Sequence, residues 1–349
     1  MKDRFHSKRK SDDSLSCGVI GLGRSGWDIH IRCINEVEET SLSCVCDSNS
    51  ERLDKALENL DCKGYTDYND VISDPEVDIV IVATPSSSHF QIARDALKAK
   101  KHVVLEKPIT SSIDEAIELK EISIENRRLL IPFFNFRFAD EFLKIKSILK
   151  EGMIGSPFLI KRQVSYFNRR DDWQSQSTQQ GGILNAAAIH HIDQVLQLVG
   201  DQPIDLWTDL RRVVSKGDAP DHCKIIMKFS NGCVADIEVS WAMALKDRKP
   251  WQIFGPKGAI IQSNNSITYR WFDERDCTEE MRDDRSYFSN EKINWKVKEY
   301  TLEDDYALGI APILYSKIAD SINCDSEIPI TIDSALITME VMNKIENYL

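Results

Sequence analysis

The 349-residue chain has no apolar run approaching the roughly 18 to 20 residues that a membrane helix needs. Its opening, MKDRFHSKRKSDDSL, lacks the apolar stretch of a secretory signal, so a cytoplasmic protein with no membrane partner is expected. Glycine and proline are sparse, 15 and 11, beside 42% hydrophobic and 29% charged residues. This excludes collagen-like, low-complexity and wholly disordered chains. Basic residues are the minority charge, 44 Lys+Arg against 56 Asp+Glu for a net −12, which argues against a nucleic-acid surface. The nine cysteines are an odd, scattered set, without a disulfide framework. The closest pair, Cys44 and Cys46, has no second Cys or His pair nearby to complete a zinc site, and no metal is expected.

At this length two domains are expected. Residues 1–14, with five basic and three acidic side chains, read as a polar tail. From Cys17 an apolar run ends in a glycine turn, a helix covers about 26–37, and a second apolar run from Leu42 closes on Asp47, which makes one βαβ unit. The alternation continues with helix 50–60, strand 78–83, helix 89–100, strand 102–105, helix 113–126 and strand 129–133. Continuously apolar strands separated by helices predict a parallel, doubly wound sheet covered on both faces. After about residue 138 the rhythm changes. Helix 140–150, strand 158–166 and an apolar-rich helix following Gly181-Gly182 as far as Val199 lead into strands 222–229 and 233–241, an antiparallel hairpin around Ser230-Asn231-Gly232. Strands at 251–254, 259–262, 267–272 and 293–300 precede helices 305–322 and 334–348. The expected division is a tail at 1–14, an α/β domain at 15–137 and an α+β domain at 138–349 with a largely antiparallel open sheet.

Val19-Ile20-Gly21-Leu22-Gly23-Arg24-Ser25-Gly26 is a G-x-G-x-x-G that follows an apolar strand and opens a helix. Gly21 allows the tight turn, Gly23 lets backbone approach a pyrophosphate, and Gly26 lets helix and strand pack closely. Leu22, Arg24 and Ser25 complete the loop that presents N–H groups to the phosphates. About twenty residues on, Asp47 ends the second strand, where a carboxylate accepts hydrogen bonds from ribose hydroxyls and repels a 2′-phosphate. The first domain therefore reads as a Rossmann fold that binds NAD in preference to NADP, with Arg52 softening the choice.

Further segments resemble the Gfo/Idh/MocA family of nicotinamide-dependent oxidoreductases: Ala83-Thr84-Pro85-Ser86-Ser87-Ser88-His89, Glu106-Lys107-Pro108, the glycine-led helix Gly181-Gly182 to His190-His191-Ile192-Asp193, and the smaller echoes Asn135-Phe136-Arg137-Phe138 and Gly255-Pro256-Lys257-Gly258. The resemblance implies that Thr84, Pro85, His89, Glu106, Lys107 and Asn135 line the cofactor, that Lys107-Pro108 carries a cis bond, and that His190 is a general base. Lys107 ends a parallel strand, where ligands of open α/β sheets bind, and an amine there can exchange a proton with a substrate hydroxyl. His190, Asp193, Gln194 and Gln197 share one polar stripe of their helix by spacing, whereas His191 is turned away as a structural or surface residue. The chain departs from the family pattern at Ala186, where an Asp commonly stands four residues before the histidine. Lys107 is thus the first candidate for proton transfer, with His190 second.

Before the glycine-led helix lies Tyr166-Phe167-Asn168-Arg169-Arg170-Asp171-Asp172-Trp173. In this loop, and from the domain junction, Arg169, Arg170 and Arg137 are candidates to hold an anionic group, Trp173 offers a face to a sugar ring, and Tyr166, Asn185 and Asp193 complete a candidate substrate set. The expected function is hydride transfer between nicotinamide and a secondary alcohol of a sugar, polyol or sugar acid. The alternatives are an NAD-dependent glycosidase without net redox change and a non-catalytic NAD-binding regulator. A sheet with one uncovered face suggests a homodimer or homotetramer.

Overall fold

A computed structural model describes residues 14–244, 249–276, 292–302 and 310–348, which form two compact units. Among the described residues no helix is long and apolar enough to cross a membrane. The first unit holds residues 14–139, 178–180 and 310–344. Its strands are β1 (Leu15–Ile20), β2 (Thr40–Cys46), β3 (Lys63–Tyr65), β4 (Ile79–Val82), β5 (His102–Leu105) and β6 (Leu130–Pro132). All pair in parallel in the order β3-β2-β1-β4-β5-β6. β1 and β4 are buried along their whole length, as a sheet covered on both faces requires. The order reverses direction between β1 and β4. The loops leaving their carboxyl ends, 21–26 and 83–88, therefore splay apart and open the crevice in which such sheets bind ligands.

Three features of this unit were not expected. β3 and the helix Tyr68–Ser73 are short and carry little periodic signal. Ser14, counted with the polar tail, is buried, and its hydroxyl meets that of Ser41 at 3.2 Å. The rest of that tail, 1–13, lies outside the described residues. The helix Ile310–Asn323 and residues 332–344 of the last helix also belong here, not to the second domain where the sequence reading placed them. Leu314, Tyr315 and Ile318 are fully buried, and Lys120 pairs with Asp333 at 2.5 Å, so these helices complete the first unit's core late in the chain.

The second unit is built on one eight-stranded sheet: β7 (Leu159–Ser165), β8 (Pro203–Arg211), β9 (His222–Phe229), β10 (Val234–Ser240), β11 (Trp251–Gly255), β12 (Gly258–Ser263), β13 (Ser266–Trp271) and β14 (Lys296–Thr301). The order is β14-β13-β12-β11-β7-β10-β9-β8, antiparallel except for the β7–β10 pair. The hairpin β9–β10 turns at Gly232, whose φ of 83° suits glycine. β8 was not anticipated because its burial does not alternate cleanly. One carboxylate pins the loop between β8 and β9. Asp221 is fully buried and accepts backbone hydrogen bonds from Val213 at 2.7 Å, Val214 at 2.8 Å and Ser215 at 2.5 Å. Burial pushes its carboxyl up, but these N–H groups outweigh it and hold the group below the usual aspartate range. Its stabilising effect is complete above the ordinary aspartate pKa and is lost as the pH falls through the lowered native value. Asp221→Asn should cost about 1–3 kcal/mol in urea denaturation at neutral pH, and the gap to the parent protein should narrow in acid.

Candidate functional site

The glycine turn is closed by contacts that only glycine permits. Gly21 has φ of 97°, and a Cβ there would lie 2.6 Å from the Ala83 carbonyl oxygen. A Cβ on Gly26 would lie 1.9 Å from the Gly21 carbonyl oxygen, so the third glycine lets the helix start directly on the loop. Gly23 differs, because a Cβ there would meet nothing within 4 Å. The helix that follows begins as a wide turn at Ser25–Ile31, with no side chain capping its first N–H groups. Open space above Gly23, uncapped donors and exposed Arg24 together fit a dinucleotide pyrophosphate.

Asp47, nearly buried at the end of β2, is held by this loop. Its Oδ2 accepts from Leu22 N at 2.9 Å and from Arg52 Nη1 at 3.0 Å, and its Oδ1 accepts from Asn49 N at 2.9 Å. The carboxylate is thus fixed at the end of β2, with a half-exposed guanidinium beside it.

The other strand ends are braced against one another. Thr84 and Pro85 lie in the loop after β4, where Ser88 Oγ donates to Thr84 Oγ1 at 2.7 Å. His89 is buried, with Nδ1 2.7 Å from the Pro108 carbonyl oxygen and Nε2 2.9 Å from that of Thr84. His89 thus lies between the two loops, and a neutral ring donates its one N–H to one of these carbonyl oxygens. Burial lowers its pKa, which favours the neutral ring. Gln180, absent from the sequence reading of the site, bridges the same region: its Oε1 accepts from Ser86 Oγ at 2.8 Å and its Nε2 donates to Ser111 Oγ at 2.9 Å.

Lys107 follows β5, and its bond to Pro108 is cis. The side chain is partly buried. Burial lowers its pKa, the Glu106 carboxylate opposes this, Arg24 reinforces it, and the net direction is down. Glu106 is itself buried: its Oε2 accepts from Lys107 N at 3.0 Å, and its Oε1 lies 3.3 Å from His30 Nε2. Burial pushes the Glu106 carboxyl up, but His30 and Lys107 more than offset it, and the group stays ionised. Asn135, buried at the start of the short helix Asn135–Phe138, stands after β6. Arg137 is engaged elsewhere: its Nη1 donates to Ser334 Oγ at 2.8 Å and its guanidinium lies over the Phe134 ring at 5.5 Å. It anchors the last helix.

In the second unit the glycine-led helix begins as a wide turn, Leu184–Ala188, and continues as Ile189–Val199. His190, Asp193 and Gln194 are all buried along one stretch. His191 is buried too, its Nδ1 3.3 Å from both Arg162 Nε and Gln194 Oε1, which makes it structural. Ala186 lies inside the wide turn, where bonds span five residues. The residue one such turn before His190 is therefore Asn185, whose side chain hydrogen-bonds Glu346. The loop ahead of the helix neutralises itself. Arg170 pairs with Asp172 and lies over the Trp241 ring, and Lys216 pairs with Asp171 at 3.0 Å. Arg170 thus anchors the loop. Arg169 is exposed, its Nε 3.4 Å from the Val214 carbonyl oxygen, Trp173 is 47% exposed, and Tyr166 is partly buried.

A doubly wound sheet with this glycine turn, its acidic partner and a lysine at a strand end defines an NAD(P)-binding oxidoreductase. Residues 15–134 match the oxidoreductase family with an NAD-binding Rossmann fold, and residues 142–261 match the GFO/IDH/MocA C-terminal domain. The chain belongs to the Gfo/Idh/MocA family, whose members act on CH–OH groups. It is 27% identical over 303 residues to the uncharacterized oxidoreductase YrbE of Bacillus subtilis, covering 84% of this chain and 86% of that one. It is 28% identical over 261 residues to myo-inositol 2-dehydrogenase of Thermotoga maritima, covering 72% and 75%. An NAD-binding protein from Listeria innocua has a similar structure, with a TM-score of 0.81 at 23% identity over 96% of this chain and 94% of the other. Because the space above Gly23 is open in the folded chain, Gly23→Val should leave unfolding free energy within about 0.5 kcal/mol. Calorimetric titration should show dinucleotide affinity falling at least about tenfold.

Proposed function

We propose that this enzyme oxidises or reduces a secondary alcohol of a polyol or sugar derivative, with NAD(H) preferred and Lys107 as the proton-transfer group. The observation that carries this reading is Lys107 itself: an amine at the end of a central parallel strand, its pKa lowered by burial, set against an ionised carboxylate. When bound, the nicotinamide supplies the two-electron, hydride-transferring chemistry. Asp47 would hold the ribose, and the Gly21–Gly26 loop the pyrophosphate. Lys107 Nζ, unprotonated, takes the hydroxyl proton as the alcohol is oxidised and returns it in the reverse direction. His190 and Asn185 are assigned to orienting substrate hydroxyls, Asn185 standing in for the carboxylate missing at Ala186. The polyol class is supported by the similarity to an inositol dehydrogenase. NAD preference is supported by Asp47, and Arg52 leaves room for weaker use of NADP.

One observation favours a second reading. Ala186 in place of an acidic residue suits a protein that binds NAD without turning over a substrate. Incubation with NAD or NADP and a panel of polyols, sugars and sugar acids, followed by nicotinamide absorbance and product mass, separates the two. Turnover supports the enzyme, release of a leaving group with catalytic NAD supports a glycosidase, and binding without chemistry supports a regulator. For the enzyme, Lys107→Met should lower kcat about 10²- to 10⁴-fold, with a much smaller change in dinucleotide affinity. Oxidation by the parent protein should be lost as the pH falls through a pKa below the ordinary lysine range, and that limb should be absent in Lys107→Met.

A further inference from the structure

Behind the Glu106-Lys107 step runs a line of buried polar groups that no part of the proposed chemistry uses. Tyr315 and His30 are both fully buried. Tyr315 comes from the helix Ile310–Asn323, and its hydroxyl lies 2.7 Å from His30 Nδ1. His30 comes from the helix that opens on the glycine turn, and its Nε2 lies 3.3 Å from Glu106 Oε1. The other carboxylate oxygen, Oε2, takes the backbone N–H of Lys107 at 3.0 Å. Phe133 closes the histidine's flank, with ring centroids 4.3 Å apart.

Hydrogen-bond capacity orders the protons along this line. An ionised carboxylate only accepts, so His30 Nε2 carries a proton and donates it to Glu106. Nδ1 then accepts the Tyr315 hydroxyl proton, and each polar atom of the line has a partner. Burial first, then the nearby Cys17, Cys33 and Glu106, hold the tyrosine pKa well above its usual value, so its hydroxyl stays a donor. Among the described residues, the charges of Glu106 and Arg24 act on Lys107, and those of His30 and Lys107 act on Glu106.

We propose that His30 and Tyr315 are positioning residues for Lys107, acting through the Glu106 carboxylate that they hold beside it. Resting on the reading of Lys107 as the proton-transfer group, this adds two residues that no motif marks. Without the His30 donor, the buried carboxylate takes up a proton more readily, and Lys107 loses the negative charge that opposes the lowering of its pKa. With Gln at position 106 the backbone contact can persist while the charge is gone, which separates position from charge.

The test is trace labelling of Lys107 with acetic anhydride across a pH series, read by mass spectrometry on the full chain without cofactor. Glu106→Gln and His30→Leu should both move the Lys107 labelling midpoint to lower pH. Tyr315→Phe should move it the same way by less, and His30→Gln, which retains an N–H donor, should return it toward the parent value. In turnover, Tyr315→Phe should lower kcat about 3- to 10-fold with little change in the dinucleotide KM. An unchanged midpoint in folded Glu106→Gln or Tyr315→Phe overturns the proposal, and these two variants decide the matter if His30→Leu does not fold. Because labelling needs no substrate, a parent protein that turns over no alcohol counts against the dehydrogenase reading while the labelling result still stands or falls alone.

Discussion

A carboxylate taken out of water must be paid back in hydrogen bonds, and Glu106 sets that requirement at the carboxyl edge of the parallel sheet. Its two oxygens draw on different elements: the strand-end backbone supplies the Lys107 N–H, and the helix after the glycine turn supplies His30. His30 in turn needs a donor at its other nitrogen, and a helix from the far end of the chain provides Tyr315. One buried charge thereby links the helix after the glycine turn, the backbone of Lys107 and a helix from the far end of the chain.

The neighbouring loops obey the same economy. Several polar side chains of this region join one loop to another. His89 spans two carbonyl oxygens, Asp47 gathers two backbone N–H groups and a guanidinium, and Gln180 bridges two serines. What is left open is backbone and space around Gly23.

Much of this was legible from residue order. The buried parallel strands announce themselves as unbroken Val and Ile runs, and the glycine turn and strand-end Asp47 have fixed spacing. The antiparallel hairpin at Gly232 was readable from its alternation. Features that failed to show are those decided by distant partners. Arg137 looks like any arginine at a domain junction until Ser334 meets it, and Arg170 looks available until Asp172 neutralises it. His30 and Tyr315 stand 285 positions apart, and neither falls in a motif of its own. The wide turn at Leu184–Ala188 also escapes a reading by helical spacing, because it changes which residue precedes His190 by one turn.

The late return of residues 310–344 to the first unit bears on biosynthesis. A chain emerging from the ribosome has its six parallel strands available by residue 132, yet the helix carrying Tyr315 is made only after the entire eight-stranded sheet. Until then His30 and Glu106 lack the hydroxyl that completes their line, and Leu314 and Ile318 have not yet covered their side of the core. The first unit therefore waits, incompletely sealed, through the synthesis of the eight-stranded sheet.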